Sequence, residues 1–564
     1  MHNSFKNMKG LIFMRGKMDF RRIAAFAAAT SMACMAAGCS NTGTTAESTA
    51  DTQAASGETA ETEKVLKVGY TREPSSFDPA DFTSVASCLA GYDCYDTLLD
   101  FTADGTDVEP ALAESWEQVD DVTYKYKIRE GVKFADGNEL TMEDVLYSLN
   151  RVKEESYYMS YLFASVESFE ADEASRTLTV HLSHPDSTWK FVPAASPCCI
   201  MEKSVAEAEG EKYGTAEGSA AGTGPYKLVS WASGSEIVME KNENWWGGAD
   251  NLDIDRIEFY IIEDESALAL AAKSGQVDFV YGISNDVKSV YDSADSISVL
   301  TCEGTTANYI AFNTAEEPFN DINARKAVIS CIDKSQITSV IGGAYAKEAG
   351  TVILPESMMY MDKDMWNKTV AESAAYSQDY DAAAEYLTKS AYPEGFSFDY
   401  ICNSNNKKQA EFLKSMIDAS GSITMNIVEV PSSEYFSYMY GYTLDENGSR
   451  YYDAVGTYMM SDYLDPFGLL GTMYLGANAV QGGTNQALWV NDEADGYLNA
   501  ALAASDDSAK MENYTKAYKI YAEECPYLDL YTGLDTYALN NRFTYEPSPM
   551  FWYNFTYADV HTAE

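Results

Sequence analysis

The chain has 564 residues, 46% of them hydrophobic and 22% charged. That is ordinary globular composition, but the length exceeds what one hydrophobic core usually supports, so two or three lobes are expected. The formal net charge of −48 is far from ordinary; it repels a phosphate backbone and excludes nucleic acid as a natural partner.

In chain order, Arg15, Lys17, Arg21 and Arg22 precede an apolar run over residues 23–37. The run falls short of the ~20 residues a membrane span needs. Charge, apolar run and then small residues is the order of an export signal. Ala36-Ala37-Gly38-Cys39 resembles a bacterial lipobox, which implies a cleaved signal over 1–38 and a lipid on Cys39. Translation from Met14 or Met18 rather than Met1 would give a more compact signal. Residues 40–63 contain no aromatic and no branched aliphatic side chain. Such a segment cannot offset its ordering entropy, so 39–63 is expected to be a flexible leash. No later apolar run approaches membrane length.

The body opens with a short buried strand over 65–70, and residues 123–128 alternate as a half-exposed strand does. A helix follows, with Thr141 and Asp144 in a capping-box pattern and Val145, Leu149 and Val152 on one face. Residues 178–182 alternate again, 257–262 read as a buried strand, and 267–273 as a helix stopped by Gly275. Further on, 309–312 and 423–430 read as strands, and 324–332 and 381–390 as helices. Met511, Tyr514, Tyr518 and Tyr521 lie at helical spacing before Pro526. Strands and helices alternate throughout, so the class is mixed α/β.

Outside the signal and Cys39 there are eight cysteines, with no CxxC pair. They read as small buried hydrophobes, or one long-range disulfide joins two of Cys302, Cys331, Cys402 and Cys525. Enzymatic chemistry finds little support. There is no GxSxG elbow, no HExxH and no phosphate-cradling glycine loop. His181 and His184, three apart at a strand end, point to opposite faces. No catalytic residue, metal or cofactor is expected.

Several ordered segments resemble the extracellular solute-binding proteins of family 5, the peptide/nickel class that serves ATP-driven importers. They include residues 73–79, Tyr95-Asp96-Thr97, residues 110–116, and the run from Tyr124 to Arg151 with Ile128-Arg129-Glu130-Gly131. Gly222-Thr223-Gly224-Pro225-Tyr226, Asn244-Trp245-Trp246, Gly275-Gln276-Val277-Asp278, residues 321–325 and Asp333-Lys334 complete the series. Read physically, these motifs identify the fold rather than a site: glycines suit turns, and the tryptophans are core residues.

The resemblance implies a two-lobed periplasmic-binding-protein-like fold (type II, cluster C) with an additional domain on the first lobe. Lobe I would span 64–302, with the extra domain at about 101–221. Lobe II would span 303–524, and 525–564 would return to lobe I. The crossings are placed near 302–306 and 524–530, with ligand trapped between the lobes.

In peptide-binding members an aspartate in a Trp-x-x-Asp-Tyr…Pro segment pairs with the ligand's α-ammonium. Here Asp462 and Tyr463 match, Pro466 matches the proline, and Met459 stands at the tryptophan position, with Tyr458 beside it. Thr83 and Val85 are further candidates for the cleft wall, as is Tyr531. The aromatic-dense stretch 435–458 suits a ligand wall or a core. The implied function is capture of short peptides with a free N-terminus by a monomer held outside the membrane through its N-terminal lipid. Delivery would be to the permease and ATPase subunits of an importer. Competing readings are a nickel chelate, a sugar or another small solute on the same fold, or a surface hydrolase or chaperone.

Overall fold

The structure is a computed structural model that describes residues 63–82, 84–155, 159–445, 447–549 and 555–563. The export signal, Cys39, the leash to residue 62 and Thr83 lie outside the described residues. Among the described residues no helix is long and apolar enough to cross a membrane.

One mixed sheet forms the backbone of the molecule. Its path runs Ile423–Glu429, Phe396–Cys402, Ala454–Met459, Ile297–Phe312, Tyr527–Asn540, Phe279–Tyr281, Val65–Tyr70, Arg256–Ile261, Glu236–Lys241 and Tyr226–Ala232. Two strands are far longer than the usual 5–6 residues: Ile297–Phe312 with 16 and Tyr527–Asn540 with 14. They pair antiparallel and run through both halves of the sheet. At one end they join Phe279–Tyr281; at the other they join Ala454–Met459.

The register shifts twice in the middle. Glu303 opposes Leu534, and the next pair is Ala307 with Thr532, so 304–306 bulge out of the ladder. Such a bulge bends the strand and loosens the pairing. It lies within the expected 302–306 crossing. The second shift lies between Asn308, opposite Tyr531, and Tyr309, opposite Asp529, so on the partner strand the irregular stretch runs over 529–534 and overlaps only the end of the expected 524–530.

Each half has its own packing. Val65–Tyr70 is held between two parallel neighbours, Arg256–Ile261 and Phe279–Tyr281, which is why Leu66 and Val68 are fully buried. Just before it, Lys64 pairs through its ammonium with Asp253 and through its amide with Asp255 Oδ2 at 2.7 Å. A separate antiparallel sheet, Ala113–Asp120, Thr123–Ile128, Thr177–Leu182 and Val166–Asp172, forms the insert. Tyr124, Tyr126 and Ile128 turn inward there, as the alternation predicts. The helix Met142–Glu155 starts at the expected capping box: Thr141 N donates to Asp144 Oδ2 at 2.9 Å and Asp144 N to Thr141 Oγ1 at 3.3 Å.

The helix Asp507–Glu524 buries Met511, Tyr514, Tyr518 and Tyr521, and Cys525 ends it in the left-handed region (φ 39°). All eight described cysteines carry free thiols, seven of them buried. The long-range disulfide is therefore not formed; these residues fill the core as small hydrophobes.

Candidate functional site

The strand Ala454–Met459 runs out at Met459, opposite Ala307, beside the bulge in the crossing. The segment that follows carries the expected ligand residues, and three contacts fix it. Ser461 N donates to Thr305 Oγ1 at 3.0 Å, tying the segment to the bulge itself. The Tyr463 ring lies flat on Phe191 of the insert, centroids 5.5 Å apart and planes 8° apart. Asp465 is fully buried, with Lys510 Nζ at 3.0 Å from Oδ2. Its Oδ1 accepts from Tyr514 OH at 2.5 Å and from Phe467 N at 2.9 Å.

The two aspartates of this segment therefore differ in kind. Asp465 is a buried carboxylate whose oxygens are taken up by an ammonium, a phenol and a backbone amide. Asp462 is half-buried and accepts from Tyr161 OH of the insert. Tyr161 is itself 51% exposed, so this partner reaches Asp462 from the solvent side. The charge of Asp462 extends to Cys88 on the helix Val85–Gly91, whose thiol is pushed up to about 12, mainly by burial and then by Asp462.

The other expected residues divide. Tyr458 is 56% exposed and Met459 half-buried, both at the end of the strand that leads to Asp462. Val85 opens the helix that carries Cys88. Tyr463 is occupied by Phe191. Tyr531 lies on the second crossing against the core of the other half, with its hydroxyl 3.5 Å from Gln409 Oε1. The aromatic stretch also splits. Tyr435 and Tyr452 are core, whereas Phe436, Tyr442 and Tyr451 are exposed with Tyr458.

Sequence reasoning missed a second carboxylate at the crossing. Asp535 is 6% exposed; its Oδ1 accepts from Tyr281 OH at 3.1 Å. Its other oxygen lies so close to Gly304 that a Cβ there would overlap it. Burial lifts this carboxyl to about 7, against the stabilising hydrogen bond from Tyr281. Burial, then Asp535, then Tyr458 raise the Tyr281 phenol, so Tyr281 and Tyr458 approach one another from the two halves. Nothing local marks Asp535 or Tyr281 in the sequence: they are 254 positions apart.

The family-like motifs gather elsewhere and are structural. Half-buried Asp96 accepts from Thr223 Oγ1 at 2.7 Å and Trp246 Nε1 at 2.9 Å, and the Arg129 guanidinium lies 4.6 Å over the Trp246 ring. Gly222 and Gly224 press against the backbone of Cys94 and Tyr95, where no Cβ fits. Among the described residues no group of three or more His, Cys, Asp or Glu side chains is arranged to hold a metal ion.

Two α/β halves joined by two long crossing strands, with an inserted domain on the first, are the architecture of the two-lobed type II binding proteins. The comparisons agree. A profile of the bacterial extracellular solute-binding proteins, family 5, matches residues 107–481. Heme-binding protein A of Haemophilus influenzae is 26% identical over 525 residues, covering 87% of this chain and 90% of that protein. The probable D,D-dipeptide-binding periplasmic protein DdpA of Escherichia coli is 24% identical over 497 residues, covering 86% and 92%. Among solved structures, the periplasmic binding protein DppA of Helicobacter pylori, in complex with the peptide STSA, superposes with a TM-score of 0.74. It is 23% identical, with 89% of this chain and 98% of that one covered. The chain belongs to family 5 of the extracellular solute-binding proteins, the substrate-binding proteins of ABC importers, which take peptides or related ligands outside the cytoplasm.

Proposed function

We propose that the protein captures short peptides by their free amino end, with Asp462 as the partner of the α-ammonium, and hands them to the permease and ATPase of an importer. The contrast within one segment carries this reading: Asp465 is consumed by Lys510 and Tyr514, whereas Asp462 faces Tyr161 at a half-open position beside the crossing. A carboxylate offers about four acceptor positions, so a ligand ammonium can join Tyr161 there. In a closing, poorly solvated cleft that pairing is much stronger than in water. Met459, where the motif has tryptophan, favours a second reading in which the ligand is another small solute.

Calorimetry with Ala-Ala-Ala and its N-acetylated form distinguishes the two. The free peptide is expected to bind and the acetylated one to lose at least a hundredfold. Equal binding of both, or binding of neither, overturns the amine-anchor reading. The lipid anchor belongs to the same proposal and rests on Ala36-Ala37-Gly38-Cys39. Cys39→Ala should abolish lipid labelling and membrane retention; labelling that persists refutes it.

A further inference from the structure

The crossing holds a second carboxylate that the amine anchor does not use. Asp535 is buried in the ladder at the point where the two halves meet, and among the described residues its one hydrogen-bond donor is the Tyr281 hydroxyl. Among the described residues its Oδ2 accepts no hydrogen bond and rests on Gly304 in the bulge. A largely buried carboxylate with one acceptor left to solvent is open to a partner that a ligand brings.

Among the described residues no free cation faces it. Lys347, on the strand Ala346–Glu348 that also pairs with this crossing, is engaged by Glu303. The other titratable groups nearby are Tyr281 from Phe279–Tyr281, Tyr537 on the same strand and Cys302 on the facing strand. All are neutral near pH 7, with Cys302 pushed up to about 11.

Asp535 is also tied to the amine anchor through the bulge. Its carboxylate touches Gly304; the next residue, Thr305, bonds to Ser461; and Asp462 follows Ser461. At ~3.8 Å per residue step this path bounds the separation of the two carboxylates at roughly 20 Å. Tyr281, Asp535's partner, approaches exposed Tyr458, which lies on the strand leading to Asp462. Both carboxylates are thus tied to the one bulge.

We infer that Asp535 is a specificity-determining residue that receives a second positive charge, so that the favoured ligands are short peptides with a lysine or arginine side chain at their first or second position. The inference rests on the peptide reading above. An extended peptide advances ~3.4 Å per residue, so a long basic side chain at the first or second position can carry its charge away from the amine and towards the bulge. A neutral side chain closing over the acceptor would leave it unmatched, which is the arrangement that discriminates most strongly.

The test is calorimetry with Ala-Lys-Ala, Lys-Ala-Ala and Ala-Gln-Ala on the parent protein and on Asp535→Asn. The parent should prefer the better lysine peptide over the glutamine peptide by tenfold or more, and the variant should bring that ratio close to one. The parent gives an independent reading in two buffers of different ionisation enthalpy. The free carboxyl sits near 7 and pairing favours its ionised form. Binding of the lysine peptide should therefore release protons, and its affinity should fall up to tenfold per pH unit below about 7. A parent ratio near one, a ratio untouched by Asp535→Asn, or no extra proton release overturns the inference while leaving the amine anchor standing. Failure of all three peptides to bind the parent removes both.

Discussion

Replacing Asp465 and Asp462 in turn by Asn should separate stability from binding within four residues of one chain. Asp465 is fully buried and Lys510 nearly so, with Nζ and Oδ2 3.0 Å apart. In Asp465→Asn the amide oxygen can keep the bonds from Tyr514 and Phe467, but the ammonium is left buried and facing an NH2 group. Breaking one side of a buried pair costs about 3–5 kcal/mol. With about 2.1 cal/mol/K of unfolding entropy per residue over roughly 500 residues, 1 kcal/mol is worth ~1 °C. The expected fall in Tm is therefore about 3–5 °C. Asp462→Asn removes a half-buried acceptor of the exposed Tyr161 and should shift Tm by less than ~1 °C, while costing about two decades or more in affinity for Ala-Ala-Ala. Differential scanning calorimetry and titration calorimetry on the same preparations read both quantities. If Asp462→Asn lowers Tm as much as Asp465→Asn, or if Asp465→Asn melts with the parent and alone abolishes binding, the division of labour is wrong.

Gly222→Ala should destabilise by several degrees in a melting experiment, because its Cβ would meet the Cys94 carbonyl and the Tyr95 ring; an unchanged Tm would show that this contact relaxes freely. Asp93 is almost fully buried, and burial lifts its carboxyl to about 7 against the bonds from Thr556 and Tyr557. A carboxyl raised in the folded state stabilises most below its unfolded pKa near 3.9, and this contribution is lost as pH rises towards 7. Asp93→Asn should therefore gain stability relative to the parent between pH 5 and pH 8; a constant difference across that range refutes the assignment.

Local rules made much of the fold readable. Residues 65–70 and 123–128 alternate cleanly because one face of each strand is buried, and the Thr141–Asp144 box needs only neighbours in sequence. The crossing strands were only partly legible. Residues 309–312 stood out as apolar, but 297–306 carry the bulge and have no steady alternation, so a 16-residue strand showed only its last quarter. At the candidate site, Asp462 was singled out through its neighbours Tyr463 and Pro466. Tyr161, Tyr281 and Asp535 could not be, since each acquires its role from a partner hundreds of positions away. The family-like motifs were the clearest text of all, and they proved to hold Asp96, Trp246 and Arg129 together rather than to touch the cleft.

The way Lys64 enters the body bears on how the molecule carries mechanical load. A pull transmitted through the segment before Lys64 acts along Val65–Tyr70, first through the Asp253 and Asp255 contacts and then through ladders on both sides of the strand. Force along a strand clamped between two parallel neighbours shears many hydrogen bonds at once instead of peeling them singly. The strand belongs to the half of the sheet on the near side of the bulge, so tension would be absorbed there. The half on the far side of the bulge would remain unloaded.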